Sequence, residues 1–203
     1  MTIGIIGAGR IAKAFARQII KSGYQVAISN SRGPQSMQGL INDLGSGIQA
    51  VTTQEAAQAK IVLLAVQWAH LPQALANLPP WDGRIVIDAT NPSLAFEPFA
   101  NAADLGEKTS SELVAELVPG ARLVKAFNTI YYKLLENHRQ EEHGKRVIFM
   151  SGDDRYAKKQ CSEIVKRIGF APVDLGNLVN GGRMQQLGGP LAHLHLLHMQ
   201  PSF

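Results

Sequence analysis

Thr2-Ile3-Gly4-Ile5-Ile6-Gly7-Ala8-Gly9-Arg10-Ile11-Ala12 is the stretch whose reading decides the fold. Thr2 to Ile6 is a short apolar run with the length of a buried parallel strand. Gly7 to Ala12 then reads G-x-G-x-x-A. Ile11, Phe15 and Ile19 recur at helical spacing, with Arg10, Lys13, Arg17 and Lys21 on other faces. Gly23 ends that helix, and Tyr24 to Ser29 reads as a second strand. In such a strand–turn–helix–strand unit Gly7 permits the tight turn and Gly9 lets the backbone approach a pyrophosphate. Ala12 lets the helix pack close, and the phosphates sit on the helix N-terminus. Gly7, Ala8, Gly9, Arg10 and Ile11 are therefore candidate dinucleotide contacts. The competing reading is a tight glycine turn that holds no ligand.

The end of the second strand narrows the ligand. A site that prefers NAD usually places Asp or Glu there, to hold the ribose 2′-hydroxyl. This chain has Ser29-Asn30-Ser31-Arg32-Gly33-Pro34, with no acid before Asp43. Asn30 and Ser31 offer amide and hydroxyl donors, and Arg32 adds a planar guanidinium fork suited to a 2′-phosphate. NADP(H) is the expected cofactor; the bland alternative makes Arg32 a solvated loop residue.

The whole chain agrees with a soluble α/β protein. It has 203 residues, 45% hydrophobic and 18% charged, enough for one domain over 1–203 with a sizeable core. The net charge of +4 gathers around the proposed phosphate site, and no Lys/Arg run with interleaved aromatics suggests nucleic acid. No apolar stretch is long enough to span a bilayer, and no signal-like leader precedes the first strand. The single cysteine, Cys161, can form no intramolecular disulfide, which fits a reducing, cytoplasmic setting.

Further along, strands and helices alternate without a break. Short helices are expected over 36–44, 53–59, 71–78, 109–118 and 130–138, with a longer one from Asp153 or Asp154 to Ile168. Strands are expected at 48–51, 60–66, 84–89, 121–127, 147–150 and 170–175. The result is a Rossmann-type, doubly wound, mostly parallel sheet of about eight strands. Residues 93–108 read as a long loop and 141–146 as a solvated one. Residues 180–203 read as a terminal helical segment broken by Gly188-Gly189-Pro190, apolar enough to suggest a homodimer interface.

Ligands in such sheets lie beyond the carboxyl ends of the strands. Ala65, Val66, Gln67 and Trp68 should therefore border the cofactor. Asn91 could present its amide to the nicotinamide ribose or carboxamide, or simply form the turn before Pro92. His70 reads more readily as a helix-start residue than as a catalytic one. His193, His195 and His198 form H-x-H-x-x-H, but positions 193 and 195 do not share a helix face and no acid or thiol lies nearby, so no metal site is expected.

GIIGAGRIA at the start, SNSRGP after the second strand, DATNP after the fifth, KAFNT after the sixth and GFAPVDLG near the end form an ordered set. In this set the chain resembles the coenzyme F420-dependent NADP oxidoreductases, a family that includes the NADPH domain of the STEAP metalloreductases. The resemblance implies that Gly7 to Ile11 carries the pyrophosphate and Asn30 to Arg32 the 2′-phosphate. It also implies that Val66-Gln67, Asn91-Pro92 and Ala126 to Asn128 line the nicotinamide side, where a flavin-like partner stacks. Hydride transfer between stacked rings mainly needs positioning, so no catalytic acid or base is required and none stands out. Large helical substrate domains of hydroxyacid and imine reductases have no room here, because the alternation uses nearly everything to about Leu178. The leading expectation is hydride transfer between NADP(H) and a small redox acceptor, a flavin or deazaflavin. A flavin-mediated ferric or cupric reductase and a non-catalytic NADP(H) sensor are the alternatives.

Overall fold

Thr2–Ile6 forms the central strand β1 of the computed structural model, which describes residues 1–94, 102–137 and 144–199. The rest of the sheet is β2 (Gln25–Ser29), β3 (Ile48–Ala50), β4 (Ile61–Leu64), β5 (Ile85–Asp88), β6 (Arg122–Ala126), β7 (Gly144–Gly152), β8 (Ala171–Asp174) and β9 (Leu197–Met199). Their order is β3-β2-β1-β4-β5-β6-β7-β8, with β9 attached to β7. Pairing is parallel from β3 to β6; β7 runs antiparallel to β6 and parallel to β8. Strand order reverses between β1 and β4, which puts the crevice of a doubly wound sheet at their carboxyl ends.

Alternation along the strands builds two cores. Ile3, Ile5, Ile61, Leu63, Ile85 and Ile87 face one layer, and Ile6, Val62, Leu64 and Val86 face the other. Against the first lies α1 (Arg10–Lys21), through Ala12, Phe15, Ala16 and Ile19. Phe15 meets Phe127 edge to face, with ring centroids 5.0 Å apart. Burying a side chain of that size stabilises by about 1.5–3 kcal/mol. On the second face α3 (Thr53–Ala57) sits so close to β1 that a Cβ on Gly4 would fall 2.1 Å from the Ala56 carbonyl oxygen. That helix starts in a capping box: Thr52 and Glu55 bond reciprocally, and the Thr52 donors hold the Glu55 carboxyl below its usual range.

The remaining helices are α2 (Gln38–Leu44), α4 (Leu71–Leu75), α5 (Ser110–Leu117), α6 (Tyr132–Glu136), α7 (Arg155–Arg167) and α8 (Asn180–Gln185). Several are shorter than expected. The chain leaves α4 at Ala76, in extended conformation, and Asn77 is left-handed at φ 57°, well before the prolines. Residues 127–131 turn the chain before α6 begins. Parts of the expected 93–108 and 141–146 loops and the end of the helix expected to His138 lie outside the described residues.

The terminal segment departs most from expectation. A helix occupies Asn180–Gln185 only; turns follow, and Leu197–Met199 is strand. β9 pairs antiparallel with the start of β7, Gly144 opposite Met199 and Arg146 opposite Leu197, and Val147 N–H donates to the Leu196 carbonyl at 2.9 Å. The polar residues Lys145 and Arg146, expected in a solvated loop, are therefore strand. The unpaired backbone edge of β7 offers these residues a ladder that outweighs weak local helix preference.

Cys161 lies on α7, fully buried, and burial pushes its thiol up to about 12. At pH 8 the reactive thiolate is therefore scarce. Iodoacetamide should leave the native protein unlabelled and modify it once urea unfolds it, as read by intact mass. Rapid native labelling would mean that α7 does not pack on the sheet in this way.

Candidate functional site

Two glycines of the first turn do different work. Gly7 has φ +112°, and a Cβ there would fall 2.2 Å from the Ala65 carbonyl oxygen, so this position admits glycine and ties the turn to the end of β4. Around Gly9 nothing lies within 4 Å of where a Cβ would stand. That open space is where a pyrophosphate would approach. Helix α1 begins directly behind it, with neither a side-chain cap nor an acid in its first turn. The helix N-terminus thus presents donors and partial positive charge to the cleft.

Beyond β2 the loop is braced from within. The Asn30 amide donates to Ser36 Oγ at 2.9 Å, and its Oδ1 accepts from the Arg32 N–H at 3.0 Å. Asn30 thus shapes the loop, while Ser31 and Arg32 stand exposed.

Under the far end of the cleft lies a buried polar network. Asp88, ending β5, and Lys125, on β6, are both fully buried, with Nζ 3.2 Å from Oδ2. Ser111 Oγ donates to Asp88 Oδ2 at 2.5 Å, and Thr90 donates to Oδ1 through its N–H and hydroxyl at 2.9 and 2.7 Å. Lys125 also donates to the Thr90 carbonyl. A second layer joins Asn91 and Asn128: the Asn91 amide donates to the Asn128 carbonyl, and the Asn128 amide donates to Asn91 Oδ1 and the Gln185 carbonyl. Gln185 in turn donates to the Lys125 carbonyl at 2.9 Å. Asn128 Oδ1 is buried without a protein partner among the described residues. Phe127, fully buried at φ 66°, supplies the bend that delivers Asn128.

The cleft has a volume of about 390 Å³. Of the expected contacts, Gly9, Arg10, Ile11, Ala65, Val66, Gln67, Asn91 and Asn128 line it. Gly7 and Ala8 form the turn below; Asn30, Ser31 and Arg32 lie off the cavity on the β2 side. Pro92 and Ala126 are buried and do not line it; Ala126 packs in the hydrophobic core on the α1 side of the sheet. His70 is exposed and outside it.

The residue-by-residue reading missed Tyr131 and Tyr132, whose rings meet edge to face at 4.8 Å, with the Arg10 guanidinium 5.3 Å from the Tyr132 ring centre. Their place directly after Asn128-Thr129 was the available signal. His193 and His195, weighed in the sequence only as part of H-x-H-x-x-H, line the cleft from the terminal segment. Burial, then the charge of Arg146 and the neighbouring His193, hold His195 below the usual histidine range. Among the described residues no three His, Cys, Asp or Glu side chains are grouped to hold a metal, and no helix is long and apolar enough to cross a membrane.

A mostly parallel sheet reversing at β1/β4, a glycine turn with open space above it and a cleft along the carboxyl edge define a Rossmann-type fold, the class in which dinucleotides bind at that edge. The model of the coenzyme F420-dependent NADP oxidoreductase family matches residues 2–92 of the chain. Over nearly its full length it is similar to the hypothetical protein SMa0349 from Sinorhizobium meliloti: 41% identity, 98% of this chain and 96% of that one, TM-score 0.91. It is 29% identical to the metalloreductase STEAP3 of Rattus norvegicus over 91% of this chain and 36% of that protein. The chain thus spans about a third of the length of the curated relatives it matches. A structure assigned as an F420-dependent NADP-reductase from Arthrobacter sp. FB24 shares the fold at 22% identity, covering 88% of this chain and 86% of that one, TM-score 0.71.

Removing one partner of the buried ion pair leaves an uncompensated charge, which typically costs about 3–5 kcal/mol. Lys125→Met should lower unfolding free energy by about that much in urea titration. Adding Asp88→Asn should recover a large part of the loss. A single variant within about 1 kcal/mol of wild type would show that the pair does not organise this floor.

Proposed function

We propose that this chain is an NADPH-dependent oxidoreductase that passes hydride to a flavin-type acceptor, deazaflavin F420 or FMN/FAD. The observation that carries the cofactor choice is the β2 end: no acid, an exposed Arg32 and the Ser31 hydroxyl, on a loop braced by Asn30. Across the glycine turn the dinucleotide would run from that loop, over the α1 N-terminus, to Asn91 and Asn128. Asn128 Oδ1, buried and unpartnered among the described residues, fits as acceptor for a ligand amide such as the carboxamide. Bound NADPH supplies the hydride; the protein holds the rings and limits water. Trp68 and Tyr131 offer apolar surface for a flat acceptor.

Flavin-mediated metal reduction is a second reading, favoured by the similarity to a metalloreductase. NADPH oxidation followed at 340 nm with deazaflavin, FMN, FAD or a ferric chelate in turn separates the two. Reduction of a flavin without metal supports the first. Metal reduction only when flavin is present supports the second.

Arg32→Ala tests the cofactor assignment. A hydrogen bond to a charged group contributes about 1.5–3 kcal/mol, and the exposed position argues for the lower end. NADPH affinity should fall about tenfold, with NADH affinity little changed. Calorimetry with both cofactors decides it; equal losses would make Arg32 a loop residue and remove the NADP preference.

We further propose a homodimer in a reducing, cytoplasmic setting. Its support is Leu194, Leu196, Leu197 and Met199, all 41–56% exposed, and the buried free Cys161. Light scattering at micromolar concentration should give twice the mass of one chain.

A further inference from the structure

β7 does not stop where its neighbours do. Its pairing with β6 ends at Met150 opposite Ala126, and Gly144–Phe149 run on past the carboxyl end of β6, the edge along which the cleft lies. β9 pairs with this overhang, so the terminal segment returns over the cleft as a strap. Its path is specific. His193 is left-handed at φ 63°, a conformation histidine tolerates better than most residues and one that turns the strap. From there the sequence alternates His193-Leu194-His195-Leu196: all four are exposed, but only the two histidines line the cleft. Gly144 lets the strap lie close, because a Cβ there would fall 2.7 Å from the His198 carbonyl oxygen.

The strap enters from the β6–β7 side. The adenosine end of a dinucleotide lies on the β2 side and its nicotinamide towards β4 to β6. The two histidines therefore stand beyond the nicotinamide, where the acceptor must sit. Hydride transfer breaks the C4–H bond of the reduced nicotinamide and carries both electrons with the hydrogen to the acceptor ring. No proton accompanies them, so a flavin-type acceptor becomes an anion delocalised over its N1–C2 carbonyl edge, and solvent supplies the proton afterwards. Donors at that edge favour the product and the transition state leading to it.

We propose that His193 and His195 form the acceptor-binding wall of the cleft and donate hydrogen bonds to the acceptor edge that gains negative charge. This rests on the flavin-acceptor reading above. Arg146 adds a positive field beside them; burial first, then the charges of Arg146 and His193, disfavour protonation of His195, so it donates as neutral imidazole.

The test measures binding as well as turnover, on the full chain saturated with NADP⁺. Dissociation constants for oxidised FMN and for dihydro-FMN under anaerobic conditions are determined by fluorescence and by calorimetry. Wild type should bind dihydro-FMN more tightly. The double variant His193→Ala/His195→Ala should lose about tenfold or more for dihydro-FMN, with a smaller loss for FMN and NADPH affinity within about twofold. His195→Gln in the wild-type background should retain most of the affinity, because it keeps an N–H donor. Gly144→Val, which lifts the strap without touching the cleft, should reproduce the double variant, with circular dichroism confirming the fold. Unchanged FMN and dihydro-FMN affinities in the double variant would overturn the proposal, as would a parallel loss of NADPH affinity. Wild type that neither binds nor reduces any flavin overturns the acceptor reading itself, and this proposal with it.

Discussion

A fully buried ion pair, Asp88 with Lys125, is the constraint on which the cleft depends. Such a pair carries a large desolvation penalty and persists where every remaining lone pair and proton finds a partner. Here Ser111 and Thr90 complete Asp88, and the Thr90 carbonyl completes Lys125. That completeness fixes the chain as it leaves β5. Asn91 comes next, and it in turn locks to Asn128 and so to Gln185 on α8. Three segments distant in sequence are held together by these hydrogen bonds.

The glycine turn answers a different demand. Where the network anchors side chains, the turn removes them. Gly7 carries no side chain because the Ala65 carbonyl occupies its place, and Gly9 carries none beside space that a ligand would fill. One glycine is dictated by packing, the other by an opening. The uncapped start of α1 then concentrates backbone donors on that opening. This end of the cleft offers backbone donors and a helix dipole, while the far end is built from side-chain amides, aromatic rings and imidazoles.

The strap shows how an edge strand acquires a role. An unpaired edge of β7 would invite association with another chain. β9 covers its first residues and brings two histidines to the cleft. The same pairing that satisfies backbone groups also bounds that side of the cleft, so stability of the edge and shape of the cleft are coupled.

Legibility in the sequence followed the range of the interactions. The mostly parallel sheet, its helices and the glycine turn are readable because they rest on short-range periodicity and on glycines within one turn. Val66, Gln67, Asn91 and Asn128 were readable because strand ends are local features and the sheet rule places ligands there; the family resemblance supplied Asn128. Pro92 and Ala126 are expected at the cavity but are buried away from its lining, since sequence proximity to Asn91 and Asn128 does not say which side chain turns outward. The Asp88–Lys125 pair left no local trace, being formed across β5 and β6 by a register that only folding sets. The expected terminal helix ends at Gln185, and Leu197–Met199 is strand. Its conformation is decided by hydrogen bonds to Gly144–Arg146, about fifty residues earlier in the chain, and local propensity carries no information about a partner at that distance.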